Sequence, residues 1–405
     1  MKAIKFDFNM LKVVLRMLKI NSRFALVKYK DNWKIPEPVY PNQVQIKTIH
    51  GGICGSDMHQ IFVDISMYAS ILASKENPSP MGHEIFGRVT KTGNEVTSLS
   101  IGDRVLVNPI SQCSAFGFQP CPACKQGDIQ HCYTMVGVGD GSELEEEYNS
   151  RGGFGGLCGG GYSEHATFFE QQCIKIPDSI PDEIAVLIEP FTVGIHAVAK
   201  NLPKESDTVL VSGAGIIGLM IIAAIRGLKS KCRIITIARY PFQAEWAKKL
   251  GADEIIADSD SKTLYEEVAK TTNSKLCQPK LTKKVIYGLN GPDLIFDSVA
   301  NETSVDNNIR LVRSGGKIVL VGMGFNVTKK VDWSIPIYKE INIVGAMCYD
   351  NSDWKKAVEI TAQDPDQFKG LITHKFKIDE FKSAFDCMLN KRRSKAIKIV
   401  FDYTL

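Results

Sequence analysis

One glycine-rich motif restricts the fold of this chain more than any other sequence feature. In VLVSGAGIIGLM, Gly213, Gly215 and Gly218 have the spacing G-x-G-x-x-G, directly after an apolar strand-like run and at the start of a helical pattern. In that context the first glycine permits a tight turn, the second lets the backbone approach a pyrophosphate, and the third lets helix and strand pack closely. The motif therefore predicts a dinucleotide-binding βαβ unit, with the phosphates at the helix N-terminus.

The second predicted strand, Arg233–Ala238, bears on which dinucleotide is bound. A carboxylate at its tip would bind a ribose 2′-hydroxyl, but the strand ends on Ala238 and Arg239 follows. A guanidinium at that position can pair with a 2′-phosphate, so NADP(H) is favoured over NAD(H). The alternative is that Arg239 points to solvent or stacks on adenine. The remaining predicted cofactor contacts are Ile216, Ile217, Val321, Gly322 and Met323.

The pattern of apolar residues divides the chain into three parts. Residues 1–195 consist of short strand-like runs joined by loops rich in glycine and proline, which predicts a mostly β domain. From about 205, strands alternate with helical patterns, which predicts a parallel sheet covered on both faces, over 196–342. Residues 343–405 are mixed, end in the strand-like Ala396–Phe401 and are predicted to return to the first domain. The fold class is α/β.

Composition excludes several classes of function. The 405 residues are 44% hydrophobic and carry a formal net charge of only +4, with lysine and arginine spread along the chain. This argues against a nucleic-acid or membrane partner. Three glycines interrupt the most apolar run, Val209–Ile225, so a strand turning into a helix explains it better than a membrane span. Basic residues break up the N-terminal apolar segment, and Asp7 disfavours a mitochondrial presequence, so a cytoplasmic location is predicted.

Four of the eleven cysteines fall between positions 113 and 132. Cys121 and Cys124, two residues apart, can hold one metal ion from a single tight turn, and Cys132 follows closely. The fourth ligand is either Cys113, far enough upstream to loop back, or His131. Four thiolates around zinc leave no open position, so this cluster predicts a structural zinc site.

A second set of metal donors and polar side chains is dispersed along the first half of the chain: Cys54, Ser56, Asp57 and His59 in GGICGSDMHQ, His83 and Glu84 in MGHEIFG, and Glu189 in VLIEPF. A catalytic zinc needs three protein ligands and one open position. Cys54 and His83 supply two of them. Glu84 or Glu189 supplies the third ligand, or contacts the metal ion through its bound water molecule.

Together these motifs resemble the zinc-containing medium-chain dehydrogenase family, which includes alcohol, sorbitol and threonine dehydrogenases. The resemblance runs from MKAIKF to KAIKIVFDY and covers GICGSD, GHE, GDRV, the cysteine cluster, EP, GAGIIG and KKLGAD. It implies a doubly wound Rossmann sheet plus a mostly β, GroES-like catalytic domain, and a homodimer or homotetramer. The sequence departs from the family pattern at Phe118, where another cysteine is usual, and at Ala238, where an acid is usual.

The resemblance also implies roles for individual residues. Cys54, His83 and Glu84 match the catalytic zinc triad, Glu189 matches the acid that contacts zinc or its water, and Ser56 and His59 match a proton relay. The implied activity is hydride transfer between NAD(P)(H) and an alcohol, a polyol or the corresponding aldehyde or ketone, in a cleft between the two domains. Two other classes stay open: a non-catalytic NADP(H)-binding redox sensor or structural protein, and a zinc hydrolase.

Two loops and one acidic run lie outside these motifs. Substrate contacts are expected from Ile61–Pro80, whose composition is only loosely apolar through Phe62, Met67, Tyr68 and Ile71. The glycine-rich stretch Gly152–Gly161 and the acidic run Glu143–Glu147 are interpreted as a mobile surface loop and a solvated face.

Overall fold

The computed structural model describes residues 1–63, 78–110, 112–113, 118–132, 160–278, 280, 287–288, 290–324 and 331–405. Met67, Tyr68 and Ile71 of the expected substrate loop, the run Glu143–Glu147 and the stretch 152–159 lie outside these residues. The chain forms two compact units, one of Met1–Glu189 with Asp350–Leu405 and the other of Pro190–Tyr349. A sequence-based limit at 195 falls inside the helix Ile188–Ala199.

Eighteen strands are found among the described residues. In chain order they are β1 (Ala3–Phe6), β2 (Val27–Lys30), β3 (Gln43–Gly52), β4 (Ser79–Pro80), β5 (Glu84–Thr92), β6 (Arg104–Val107), β7 (His165–Phe169), β8 (Cys173–Lys175), β9 (Thr208–Ser212), β10 (Arg233–Ala238), β11 (Glu254–Ala257), β12 (Leu276–Cys277), β13 (Tyr287–Gly288), β14 (Leu294–Asp297), β15 (Lys317–Leu320), β16 (Asn342–Gly345), β17 (Ile372–Phe376) and β18 (Lys398–Asp402).

The α-helices of the same described residues are α1 (Met10–Met17), α2 (Gly55–Phe62), α3 (Pro122–Gln126), α4 (Asp182–Ala185), α5 (Ile188–Ala199), α6 (Ile216–Gly227), α7 (Pro241–Lys249), α8 (Ser261–Thr271), α9 (Glu302–Leu311), α10 (Ser334–Lys339), α11 (Asn351–Gln363), α12 (Phe381–Leu389) and α13 (Lys391–Ser394). Short 3₁₀ turns occur at Ile129–His131, Glu170–Gln172, Pro365–Phe368 and Ile378–Glu380.

A mostly antiparallel sheet organises the first unit. Its strands run in the order β17-β18-β3-β5-β6-β8, and β7 also pairs with β3. Alternating apolar side chains such as Val44, Ile46, Val89 and Val105 form a core on one side of it. The C-terminal strand β18 pairs with β3, so the last residues of the chain lie beside the strand that leads into α2.

The second unit contains the predicted parallel sheet. Its order β11-β10-β9-β14-β15-β16 is that of a doubly wound dinucleotide-binding fold with two βαβαβ halves. All five strand pairs are parallel. The central strands are continuous apolar runs, as expected for strands buried on both faces; Val209, Leu210 and Val211 of β9 are fully buried. The predicted α/β fold class is confirmed.

The most apolar run of the sequence is explained by this sheet. Val209–Ile225 forms β9, a turn and most of α6, as the three glycines indicate. Within the described part of the chain, none of the helices combines the length and the apolar character needed to cross a bilayer.

Helix α1 was not predicted as an element of the first domain. Asn9 caps it by accepting a hydrogen bond from the Lys12 backbone N–H at 3.1 Å. Leu11 and Met17 face solvent, whereas Val13 packs against the core of the first unit. Arg16 donates to the carbonyls of Ile61 and Phe62 at the end of α2. Helix α1 therefore supports the helix that follows Cys54.

Candidate catalytic centre and dinucleotide site

Three predicted metal ligands converge in the first unit. Each of Cys54, His83 and Glu84 places one donor atom within 4.8 Å of the others. Cys54 is the residue before α2, Glu84 begins β5, and His83 precedes it. The pairing of β3 with β5 sets Gly52 opposite Glu84, and a Cβ at Gly52 would lie 1.9 Å from Glu84 Oε2. The glycine in GGIC thus makes room for the glutamate side chain.

Asp57 supports this group from within α2. Its Oδ2 accepts a hydrogen bond from the Cys54 backbone N–H at 2.8 Å, and its Oδ1 lies 3.6 Å from His83 Nδ1. Burial alone would raise the pKa of Asp57, but His83 and the hydrogen bonds outweigh it and the pKa is lowered. Burial opposes a charged His83, yet Asp57 and Cys54 raise its pKa well above the usual value. A carboxylate next to a candidate metal-binding histidine is the usual partner that orients the imidazole ring.

Glu84 has a buried cationic neighbour. Lys398 of β18 forms an ion pair with Glu84, and its ammonium also donates to the Ile53 carbonyl at 3.1 Å. Both side chains are almost fully buried, at 1% and 2% exposure. Burial alone would lower the pKa of Lys398, but the negative charges of Glu84 and Cys54 raise it. A carboxylate held by an ammonium is thus adjacent to the cysteine and the histidine.

The predicted relay residues share α2 with this group. Ser56 and His59 lie one helical turn apart, are both half-buried and so fall on one face of the helix. Glu189 is buried in the first turn of α5. It lies outside the three-residue group that the described residues form, but its charge acts on Lys398.

The cysteine cluster also assembles. One sulfur from each of Cys113, Cys121, Cys124 and Cys132 lies within 4.8 Å of the others. The Cys113–Cys132 and Cys121–Cys132 sulfurs are 3.4 and 4.0 Å apart, close to the spacing of about 3.8 Å implied by tetrahedral Zn–S bonds of about 2.3 Å. Burial raises the pKa of the Cys124 thiol. His131 is exposed and is not a member of this group.

The glycine motif has the geometry that a pyrophosphate requires. Gly213 has a φ of +94°, and a Cβ at Gly218 would lie 1.9 Å from the Gly213 carbonyl oxygen. A Cβ at Gly215 would meet nothing within 4 Å, so the space beside the first turn of α6, where Ile216 and Ile217 lie, is open to a ligand. Because β9, β10 and β15 are parallel members of one sheet, their carboxyl ends meet at the same edge.

Comparisons with known proteins agree with this geometry. Residues 40–178 match the alcohol dehydrogenase GroES-like domain, and residues 217–363 match the zinc-binding dehydrogenase domain. Sorbitol dehydrogenase of Ovis aries is 31% identical over 362 residues, which are 88% of each chain. A probable D-xylulose reductase A of Aspergillus terreus is 30% identical and covers 89% of this chain and 91% of its own.

The chain belongs to the zinc-containing medium-chain dehydrogenase family. Among solved structures, an alcohol dehydrogenase (rspB) of E. coli CFT073 in complex with NADH is 26% identical, with a TM-score of 0.74, and the match covers 100% of this chain and 99% of that one. This dehydrogenase is accordingly a zinc-dependent oxidoreductase of alcohols or polyols that uses NAD(P)(H). Nothing in the comparisons favours a redox sensor or a hydrolase.

The dehydrogenase presents a guanidinium at the predicted ribose end of the sheet. Ala238 is buried at the tip of β10, and the side chain of Arg239 is 72% exposed. Asp258, after β11, lies 3.8 Å from the guanidinium and was not predicted. Three further predicted cofactor contacts follow β15. The backbone N–H groups of Val321 and Gly322 each donate to the Asp297 carbonyl at 2.9 Å, and Met323 is half-exposed.

Sequence reasoning assigned no role to three side chains around the candidate metal group of the dehydrogenase, of which it had named only Asp57. Asp57 stands inside the recognised motif and could have been assigned from the rule that metal-binding histidines donate to a carboxylate. Lys398 and Tyr162, whose hydroxyl donates to Asp57 Oδ2 at 2.6 Å, belong to distant segments with no local signal. Only the strand pairing of β3 with β5 and β18 brings Lys398 to the group.

Proposed function

We propose that Cys54, His83 and Glu84 hold a catalytic zinc ion in this dehydrogenase and that a polyol or related secondary alcohol is its substrate. The observation that carries the proposal is the convergence of these three donors on the N-terminus of α2. When bound there, zinc supplies Lewis-acid activation of the substrate oxygen. The polyol class rests on the names of the sorbitol dehydrogenase and xylulose reductase relatives.

Proton movement is assigned to α2. Ser56 accepts the hydroxyl proton of the alcohol, and His59 passes it to solvent. In the reduction direction the same two residues deliver a proton to the product oxygen. Glu189 is proposed to contact the metal or its water from α5, because its charge acts on the Lys398 that pairs with Glu84.

A second zinc ion is proposed for Cys113, Cys121, Cys124 and Cys132. The sulfur spacing supports this assignment, and four thiolates leave no position for a substrate. Its role is therefore structural, and it holds the lobe formed by α3 and the flanking turn.

NADP(H) is proposed as the preferred cofactor. The tip of β10 offers the exposed guanidinium of Arg239 and no carboxylate at Ala238. A 2′-phosphate gains a charge-assisted hydrogen bond there, whereas the 2′-hydroxyl of NADH offers the guanidinium only a neutral acceptor. A homodimer or homotetramer and a cytoplasmic location also stay proposals; light scattering after gel filtration tests the first.

A turnover assay tests the proposed function. Zinc-loaded protein is incubated with NADP⁺ or NAD⁺ and a panel of sorbitol, xylitol, 2,3-butanediol and ethanol, and absorbance is followed at 340 nm. The expected result is reduction of NADP⁺ with polyols and vicinal diols, and a lower rate with ethanol. Cofactor binding without any turnover, either of these alcohols or of the corresponding ketones and aldehydes with NAD(P)H, would contradict the proposal. The protein would then bind a dinucleotide without catalysing hydride transfer.

A further inference from the structure

A buried tyrosine stands behind the proposed catalytic zinc ligands. Tyr162 is 0% exposed, and its hydroxyl donates to Asp57 Oδ2 at 2.6 Å. This is the length of a charge-assisted O–H···O⁻ bond. Burial and the Asp57 charge raise the pKa of Tyr162 well above its usual value, so the phenol keeps its proton and acts as the donor.

The same tyrosine packs against the segment that carries His83. A Cβ at Gly82 would lie 2.4 Å from Tyr162 Cδ1, and Gly82 has a φ of +79°. Only a glycine therefore allows the ring to approach the residue before His83 so closely. The Tyr162 backbone N–H also donates to the Met81 carbonyl at 3.1 Å. Tyr162 thus contacts the histidine segment by its ring and backbone, and Asp57 by its hydroxyl.

Asp57 connects the tyrosine to two of the proposed ligands. Oδ2 receives both the Tyr162 hydroxyl and the Cys54 N–H, and Oδ1 faces His83 Nδ1. Two hydrogen bonds to Oδ2 set the orientation of the carboxylate, and that orientation keeps Oδ1 beside the histidine ring, 3.6 Å from Nδ1. Without the phenol, the carboxylate can rotate and the His83 ring is less firmly held.

We infer that Tyr162 is a positioning residue for the catalytic zinc, acting through Asp57 on His83 and Cys54. The inference rests on the proposed function, in which Cys54, His83 and Glu84 hold that ion. Residues outside the ligand set that hold metal-binding side chains in place typically alter metal affinity by about 10–100-fold. Tyr162→Phe keeps the ring and removes only the hydroxyl, so the pocket stays filled.

Tyr403→Phe is the matched control. Tyr403 packs on the same apolar cluster as Tyr162, and its hydroxyl donates to the Gly161 carbonyl at 3.0 Å rather than to Asp57. Both variants lose one hydrogen bond of a tyrosine in that cluster, so a general loss of stability affects them alike. The second zinc, at the four cysteines, is an internal reference for each protein.

Zinc release to a chromogenic chelator and the visible spectrum of the Co²⁺-substituted protein provide the test. Tyr162→Phe should release the catalytic zinc about tenfold faster and shift the Co²⁺ d–d bands, while Tyr403→Phe and the four-cysteine zinc match the parent. Equal release from the two variants would overturn the inference. Cys54→Ser is measured in parallel: if it keeps both zinc ions, the proposed ligand set itself fails, whereas its loss of one ion with an unaltered Tyr162→Phe refutes only the role of Tyr162.

Discussion

Replacement of Lys398 by methionine should destabilise the protein strongly. Lys398 and Glu84 form an ion pair at 1% and 2% exposure, and methionine fills most of the lysine volume but leaves the carboxylate buried without its cation. Breaking a buried pair from one side costs about 3–5 kcal/mol, and the lost bond to the Ile53 carbonyl adds to this. For a compact unit of this size the melting temperature should fall by about 6–20 °C.

Lys175→Met is the control for this prediction. Lys175 lies in β8 of the same sheet and pairs with Asp103, but it is 59% exposed, so its loss should cost at most about 1 kcal/mol. Unfolding is measured by urea titration and calorimetry after zinc has been removed with a chelator, because a metal ion on Glu84 would replace the missing cation and metal binding shifts apparent stability. The double variant Glu84→Gln/Lys398→Met should recover part of the loss. Equal costs for Lys398→Met and Lys175→Met would refute the reasoning.

Three further predictions concern the cofactor, the structural metal and pH. Arg239→Ala should weaken NADPH binding more than tenfold, because about 1.5–3 kcal/mol of binding free energy is lost, and should leave NADH binding nearly unchanged. A fluorescence titration in which the parent protein binds NADPH and NADH equally well would contradict this. Cys113→Ser should lower zinc content by one ion per chain, and retention of both would remove Cys113 from the site. Burial alone would raise the pKa of Asp402. Hydrogen bonds from Thr404 and Lys375 and the charge of His50 outweigh burial, so the pKa is lowered from 3.8 to about 2. Asp402→Asn should therefore lower the free energy of unfolding by about 2 kcal/mol above pH 5. In urea unfolding the difference between parent and variant should vanish as pH falls from 4 to 2. A difference that persists at pH 2 would exclude this cause.

The parts of the fold that sequence predicted are those with a local signature. Strand β9 and helix α6 could be placed because the apolar run, the glycine spacing and the helical pattern are contiguous, and the predicted strand Arg233–Ala238 is confirmed with the same bounds. The cysteines at 113, 121, 124 and 132 meet as expected, although 113 is the least regularly spaced of them. Their function as zinc ligands stays a prediction.

The parts that sequence did not predict depend on pairing between strands distant in sequence, or on a helix that exposes apolar side chains to solvent. Lys398 reads as one more lysine in a basic C-terminal stretch, and its burial against Glu84 follows only from the position of β18 beside β3. Tyr162 reads as a turn residue among glycines. Helix α1 packs Val13 on the core, but Leu11 and Met17 face solvent and Arg16 contacts α2, which departs from the pattern from which a packed helix is inferred.

Paired measurement of zinc content and turnover in Cys54→Ser and Ser56→Ala tests the central claim most directly. Serine is a poor replacement for a thiolate ligand, so Cys54→Ser should contain one zinc ion fewer per chain and show only background reduction of NADP⁺ with a polyol. Ser56→Ala should keep the zinc content of the parent and lose about 10²–10⁴-fold in rate, because it removes only proton transfer; His59→Ala should lose less. Full zinc content in Cys54→Ser would contradict the metal assignment, and full activity in Ser56→Ala would contradict the relay.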